Sequence, residues 1–399
     1  MHLCSLDLEE FRSYRRLHLE LDPRGLRLYG ANTSGKSTLL EAVAMLATTR
    51  SARSTADREV IRFQSGAEFG YPPYARLQGH VKRADGAVDV EMALQTDPAR
   101  PSLLRKQIKL DGRAVRAMDA VGALKAVLFA PEDVALVAGP PSGRRRYLDL
   151  TISQLDGRYL RALSRYNRVL TQRNSLLKAL ARDRVAPDAP AAIAQLSFWD
   201  DELVAFGSAI VARRLRTVRR LDELARGRFR WLTGDGSLTL RYVPSVGLPG
   251  LETAAAMATT DDAQALVARD FRQELEERRR EEIRRGVSVL GPHRDDLVFA
   301  VGEADLATYG SRGQQRLAVV ALKLAEADLM TEAAGEPPIL LLDDVLSELD
   351  ANHRALLTST VAALGSQVIV TATDQALLET PELASLPLAR VEGGAIAGA

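Results

Sequence analysis

The stretch that decides the fold is Gly30-Ala31-Asn32-Thr33-Ser34-Gly35-Lys36-Ser37. It matches the pattern G-x-x-x-x-G-K-[ST], in which the backbone N–H groups of a glycine-rich loop surround phosphate oxygens. Gly25 to Tyr29 favours a strand before the loop, and the run after Lys36, free of Gly and Pro, favours a helix after it. A helix N-terminus is a favourable site for anions. We therefore expect this loop, together with Thr38, to bind a nucleoside triphosphate, with ATP as the nucleotide.

Two acidic residues follow a wholly apolar run, Ile339-Leu340-Leu341-Leu342-Asp343-Asp344. Such a run is typical of a buried parallel strand, which delivers Asp343 at its carboxyl end. We expect Ser37 and Asp343 to hold Mg²⁺, and Lys36 to reach the β- and γ-phosphates. Asp344 is then placed to orient or deprotonate the attacking water. The predicted catalytic residues are Lys36, Asp343 and Asp344.

A large insertion separates the two halves of this site, because Asp343 lies 306 residues after Ser37. Apolar residues recur every three or four positions between Leu155 and Leu180, with an interruption at Arg173, which predicts a long amphipathic helix. Further helices are predicted at 193–226 and 263–285, a loop at 232–262 and a strand at 287–290. The fold class expected is α/β, with an N-terminal lobe of an ATPase head at 1–150, a helical arm at 151–285 and a C-terminal lobe at 286–399.

Composition limits the other possibilities. The chain has 399 residues, a formal net charge of +1 and a single cysteine, Cys4. One cysteine fits a reducing compartment, and no run of about 18 apolar residues predicts a membrane span. We expect a cytoplasmic protein without a membrane partner. Arginines cluster in the middle of the chain, and composition alone leaves open whether they form solvated helix faces or a basic surface for nucleic acid; they are Arg144, Arg145, Arg146, Arg213, Arg214, Arg216, Arg219 and Arg220.

Ser311-Arg312-Gly313-Gln314 opens the helix that precedes the acidic strand, and it resembles the signature motif of the ABC ATPase superfamily. Asp350 closes Ser347-Glu348-Leu349-Asp350, which stands where that superfamily has its D-loop. The resemblance implies that Ser311, Gly313 and Gln314 of one copy contact the nucleotide held by another, so that ATP joins two copies into a homodimer. An ordinary helix cap is the alternative interpretation of Ser311.

Four longer segments resemble the RecF family, a group of ABC/SMC-type ATPases, and they span the chain: 11–14, 129–149, 291–297 and 342–350. The resemblance implies an ABC-type P-loop ATPase head with an inserted helical arm. It also implies binding to double-stranded DNA and to junctions of single- and double-stranded DNA, and partnership with RecR and RecO. The implied role is in DNA replication, recombinational repair and the SOS response. A transporter-type ABC ATPase subunit is the alternative function.

The resemblance also bears on individual residues. Arg12 corresponds to an arginine that reaches the γ-phosphate in related DNA-repair ATPases, although a plain surface arginine is an equal alternative. Thr371-Ala372-Thr373-Asp374 stands where ABC transporters carry a switch histidine. We therefore expect a weak, DNA-dependent ATPase with slow turnover. The glutamine-loop position falls at Glu132 or Asp133.

Overall fold

The computed structural model describes residues 1–54, 56–67, 70–100, 103–234, 236–248 and 260–398. The chain forms two compact units. The first consists of Met1–Val134, Arg228–Gly234 and Val319–Ala399, and the second of Ala135–Gly227 and Asp235–Ala318. The three-part division expected from the sequence, at residues 150 and 285, stays a prediction.

The fold is α/β, as predicted. The strands are β1 (His2–Phe11), β2 (Tyr14–Glu20), β3 (Gly25–Tyr29), β4 (Tyr74–Arg83), β5 (Gly86–Thr96), β6 (Leu104–Leu110), β7 (Arg113–Val115), β8 (Ala126–Phe129), β9 (Leu238–Val243), β10 (Asp296–Val301), β11 (Ala304–Asp305), β12 (Ile339–Asp343), β13 (Val368–Ala372), β14 (Leu388–Glu392) and β15 (Ala395–Ala397). The helices are α1 (Lys36–Thr48), α2 (Ala117–Ala120), α3 (Ala135–Ala138), α4 (Pro141–Leu155), α5 (Gly157–Arg182), α6 (Pro190–Thr233), α7 (Thr260–Arg285), α8 (Leu306–Tyr309), α9 (Arg312–Ala334) and α10 (Ala351–Ala363). Among the described residues, no helix is long and apolar enough to cross a bilayer.

The first unit contains two six-stranded sheets. The order β2-β1-β4-β5-β6-β7 is antiparallel throughout. The order β15-β14-β3-β13-β12-β8 is parallel except at the edge strand β15. Every residue of β12 and β13 is buried, as expected for parallel strands that are covered on both faces. Helix α1 contacts strands of both sheets, and its apolar residues join a single core with them.

The second unit combines long helices with the three-stranded antiparallel sheet β11-β10-β9. The long helices predicted from apolar periodicity are confirmed, and α5 buries one face that includes Tyr159, Tyr166 and Leu177. The loop predicted at 232–262 is wrong where β9 lies, because β9 pairs along its whole length with β10. Residues 249–259 of that predicted loop lie outside the described residues.

The strand predicted at 287–290 is also wrong. The backbone N–H groups of Ser288 and Val289 donate to side chains instead of to another strand: to Asn174 Oδ1 at 2.8 Å and to Glu282 Oε1 at 2.8 Å. Arg173, which interrupts the apolar face of α5, belongs to the same cluster of buried polar side chains. Its buried guanidinium donates to Asp200 Oδ1 at 2.7 Å, to Glu282 Oε2 at 2.6 Å and to Ser288 Oγ at 2.7 Å. The side chains of Asn174 and Glu282 therefore accept the hydrogen bonds that a neighbouring strand would otherwise have accepted.

Candidate nucleotide site

The order of the parallel strands brings the predicted site together. Strands β3, β13 and β12 are neighbours, with Tyr29 opposite Ala372 and Thr371 opposite Asp343. Because the carboxyl ends of parallel strands meet at one edge of a sheet, the loop 30–35, Thr371 and Asp343 converge there. Positions more than 300 residues apart in the chain thus share one edge.

The loop has a backbone that only glycine adopts easily at two points. Gly30 has φ +156° and Gly35 has φ +116°. A Cβ on Gly30 would lie 2.3 Å from the carbonyl oxygen of Val391, and one on Gly35 would lie 3.0 Å from the hydroxyl oxygen of Tyr14. Tyr14 in turn donates a hydrogen bond to the Gly35 carbonyl at 3.1 Å. The fixed glycines of the pattern therefore have both a conformational and a steric reason.

Lys36 supplies the positive charge of the loop. Its side chain is buried, and Nζ donates to the carbonyl oxygens of Gly30 at 2.7 Å and Ala31 at 2.9 Å. Burial lowers the pKa of the ammonium group, while Asp344 and Asp343 oppose that shift. Ser34 Oγ is buried and has no hydrogen-bond partner among the described residues. A cation and an unpaired hydroxyl in one loop fit phosphate oxygens.

Ser37 and Asp343 are in direct contact, as the metal prediction requires. Ser37 Oγ donates to Asp343 Oδ1 at 2.7 Å. Thr371 Oγ1 donates to the same oxygen at 3.1 Å and accepts from the backbone N–H of Asp344 at 3.1 Å. Burial raises the pKa of Asp343, and the hydrogen bond from Ser37 opposes that change. A hydroxyl beside a carboxylate is the oxygen donor set that Mg²⁺ prefers, so these residues fit the ion.

Thr371 is a site residue that the sequence reasoning missed. In the sequence it is distinguished only by standing where ABC transporters carry a switch histidine. The available signal was its position as the first polar residue after the apolar run 368–370, at the end of a parallel strand. Its single hydroxyl links the carboxylate of Asp343 to the backbone of Asp344.

Asp344 lies on the wall of a cavity of about 660 Å³ beside the loop. Its backbone is left-handed, with φ +50°. Oδ1 is buried and makes no hydrogen bond to any residue that the structure describes. Lys36, Ser37 and Thr373 line the same cavity. An acceptor held without a partner beside a phosphate loop is suited to take a hydrogen bond from water.

Arg12 also lines this cavity, and it is tied to helix α1. Its guanidinium donates to Glu41 Oε1 at 2.9 Å and Oε2 at 3.1 Å, and to the Glu59 carbonyl oxygen at 2.9 Å. Glu41 is buried, and sequence reasoning missed it, although a lone acid within the apolar run of α1 was a visible signal. The contact of Arg12 with a γ-phosphate stays a prediction.

Asn32, Thr33 and Thr38 line the cavity as well, whereas Ser311, Gln314 and Asp350 cap helices. The Ser311 N–H donates to Gln314 Oε1 at 2.9 Å, and the Gln314 N–H donates to Ser311 Oγ at 3.2 Å, which is a reciprocal capping box. Gly313 is exposed beside them. Asp350 Oδ1 accepts from the His353 N–H at 2.9 Å at the start of α10. Ser311, Gly313, Gln314 and Asp350 are all exposed. Their role across a dimer stays a prediction.

The two candidates for the glutamine-loop position differ in their surroundings. Asp133 Oδ2 accepts from the Ala130 N–H at 2.8 Å, and burial raises the pKa of its carboxyl group. Glu132 is exposed and lies 3.5 Å from Arg53. Arg53 lines the nucleotide cavity and was not predicted. The assignment between Glu132 and Asp133 stays open as a prediction.

The arginine-rich middle of the chain is mostly engaged in ion pairs. Arg144 Nε donates to Asp296 Oδ1 at 2.7 Å, and the buried Arg214 donates to Asp149 Oδ1 at 2.7 Å. Helix α5 is different. Four of its arginines are exposed and form no ion pair with an acid in the described ranges; they are Arg158, Arg161, Arg165 and Arg168.

The fold and the loop define a P-loop nucleotide-binding head. The family model RecF/RecN/SMC N terminal domain matches residues 2–387. A Thermomicrobium roseum protein named DNA replication and repair protein RecF is 48% identical over 397 residues, 99% of each chain. A solved structure of the recombination mediator protein RecF-ATP in the RecFOR pathway has a TM-score of 0.84 and 27% identity, covering 100% of this chain and 97% of that one. The Smc head domain of Pyrococcus furiosus shares the fold, with a TM-score of 0.53 at 15% identity, covering 99% and 95% of the two chains. The chain belongs to the RecF family, and that prediction is confirmed.

Proposed function

We propose that the chain is an ATP-dependent, DNA-binding recombination mediator that acts in DNA replication, recombinational repair and the SOS response. The observation that carries the proposal is the contact of Ser37 with Asp343 at the edge where the phosphate loop lies. Membership of the RecF family favours this role over the transporter alternative. The RecFOR pathway named for the related structure supports RecR and RecO as partners. A cytoplasmic location belongs to the same proposal.

The nucleotide step uses residues of the first unit. Lys36 binds the phosphates, and Ser37 and Asp343 hold Mg²⁺, which neutralises charge on the phosphate oxygens when bound. Asp344 lies on the wall of the same cavity, where its carboxylate is placed to orient or deprotonate the attacking water. Thr371 stands beside Asp343 without an imidazole, which favours slow turnover. The activity proposed is a weak, DNA-dependent ATPase that acts as a switch.

Dimer formation is the step proposed to depend on ATP. Ser311, Gly313 and Asp350 are exposed at or beside helix N-termini, where backbone N–H groups favour an anion. In a homodimer, these residues and Gln314 of one copy complete the nucleotide pocket of the other. Hydrolysis then separates the copies.

A stripe of arginines on α5 supports a DNA-binding surface. Arg158, Arg161, Arg165 and Arg168 fall on one side of the helix, since their spacings are three, four and three residues. Ten residues of helix span about 15 Å. A row of exposed guanidinium groups without acidic partners among the described residues fits the phosphate backbone of double-stranded DNA or of a single-strand junction, with little sequence preference.

The first experiment measures DNA binding by fluorescence anisotropy together with the size of the complex, with and without ATP. Duplex, gapped and single-stranded DNA are compared. We expect ATP to produce dimers and tighter DNA binding in the wild type, and Lys36→Ala to abolish both effects. ATP-dependent dimers of Lys36→Ala, or DNA affinity unaffected by ATP in the wild type, would contradict the proposal.

The second experiment tests the stripe with charge reversals. Arg161→Glu combined with Arg168→Glu is expected to weaken DNA binding and to reduce the salt slope by about two, one for each lost phosphate contact. Arg272→Glu is the matched control, because Arg272 is exposed but already paired with Asp201 at 3.0 Å. An equal loss of affinity in both proteins would exclude the stripe as the DNA surface.

A further inference from the structure

The cavity beside the phosphate loop has both polar and apolar side chains on its wall. Lys36, Ser37 and Asp344 provide charged and polar groups, and Ile61 and Phe63 provide apolar side chains. Its volume of about 660 Å³ lies within the usual range of small-molecule sites. The side chains of Ile61 and Phe63 cannot bind phosphate or a metal ion.

Phe63 is unusual because its ring is exposed while its backbone is fixed. The side chain is 84% exposed. On one side of it, Ile61 pairs with Phe11 at the end of β1, and the Arg62 N–H donates to the Glu10 carbonyl oxygen at 2.9 Å. On the other side, the buried Ser65 donates from Oγ to the Tyr74 carbonyl oxygen at 2.6 Å. The ring is therefore exposed to solvent on a segment whose two sides are held by β1 and β4.

An exposed ring on a held segment at the wall of the nucleotide cavity indicates that Phe63 contacts a ligand. A single exposed apolar residue on a surface needs no explanation. Phe63, however, is the aromatic residue among the described residues that line the nucleotide cavity. Because the backbone on both sides of Phe63 is already held, a flat ligand that covers the ring has only the side chain to order.

We propose that Phe63 is the platform on which the purine base of the nucleotide stacks, with Ile61 as its apolar neighbour. This inference rests on the proposed binding of ATP to the loop. Stacking on an aromatic face contributes to affinity for any base, since every base has a π-face. The phosphate contacts of Lys36 and Ser37 are independent of it.

The test compares ATP with inorganic triphosphate, which has the same phosphate chain and no base. Titration calorimetry in the presence of Mg²⁺ gives Kd for each ligand with the wild type, Phe63→Ala and Phe63→Trp. We expect Phe63→Ala to raise Kd for ATP by about 5- to 100-fold and to leave Kd for triphosphate unchanged. Phe63→Trp is expected to restore ATP binding. Phe198→Ala is the matched control, because Phe198 is also exposed, at 60%, but lies on α6.

The outcomes separate the inference from the proposed function. A wild type that binds neither ligand would remove the nucleotide site itself. If Phe63→Ala bound ATP with wild-type affinity, the stacking platform alone would be overturned. That holds also if this variant bound ATP normally but failed to dimerise, since Phe63 would then be a contact to a second copy. An equal loss of ATP and triphosphate affinity would also overturn it, since the change would then act on the phosphate loop.

Discussion

Removing Glu282 is expected to destabilise the second unit severely. Glu282 and Arg173 are both fully buried, and the carboxylate accepts from Arg173 at 2.6 Å and from the Val289 N–H at 2.8 Å. Burial by itself would lower the pKa of Arg173, but Glu282 and Asp200 reverse that effect and keep the guanidinium charged. Glu282→Ala leaves this buried charge with a single carboxylate partner, Asp200.

Breaking a buried ion pair by deleting one partner costs about 3–5 kcal/mol. That figure already includes the cost of losing the hydrogen bond from the Val289 N–H, because Glu282→Ala removes the ion pair and this hydrogen bond together. With a urea slope of about 3 kcal/mol/M, the unfolding midpoint should fall by about 1–1.7 M. Urea titration followed by tryptophan fluorescence measures the shift, since Trp199 adjoins Asp200 on α6.

The control is the preceding residue of α7, Glu281. Glu281 pairs with Arg285 at 2.8 Å and is partly exposed, at 23%. Exposed pairs contribute about 0–1 kcal/mol, so Glu281→Ala should hardly move the midpoint. If Glu282→Ala and Glu281→Ala shifted the midpoint equally, burial of the Arg173–Glu282 pair would not be what stabilises the second unit.

Two further changes probe the site and the second unit. Thr371→Val removes the hydroxyl that holds Asp343, and we expect ATP turnover to fall by about tenfold while ATP affinity is nearly kept; unchanged turnover in a steady-state assay would refute this. Burial holds the pKa of His293 at about 4, below its usual 6.5, so the unfolded chain takes up a proton at higher pH than the folded chain. The free energy of unfolding should therefore fall by about 3 kcal/mol as pH drops from about 6.5 to about 4, and His293→Gln should remove that part of the slope in urea titrations at several pH values. A slope identical in the variant would show that other groups cause it.

Much of the nucleotide site was predictable because its residues are set by local pattern. The loop 30–37 needs glycine where the backbone turns and a lysine and hydroxyl at its end, and that requirement is visible in eight consecutive residues. The acidic pair Asp343 and Asp344 was visible for a similar reason, since a wholly apolar run ends there. Neither prediction needed to know which strands are neighbours.

The roles of residues whose partners lie far away in the chain could not be predicted from the sequence. Arg173 interrupts an apolar helix face, and only folding shows that Asp200 and Glu282 surround it. The segment 287–290 has the composition of a strand, yet the amides of Ser288 and Val289 bond to side chains of α5 and α7. Arg214 was counted among residues of a possible basic surface, although it is buried against Asp149.

The sequence by itself determined the phosphate loop, the acidic strand and the α/β class, because each follows from the spacing of residues close together in the chain. Tertiary structure decided that Thr371 contacts Asp343, that four arginines of α5 have no acidic partner among the described residues and that Phe63 lines the nucleotide cavity. These features depend on which distant segments lie side by side. Burial and pairing of charge are properties of that arrangement, and a side chain's type does not reveal them.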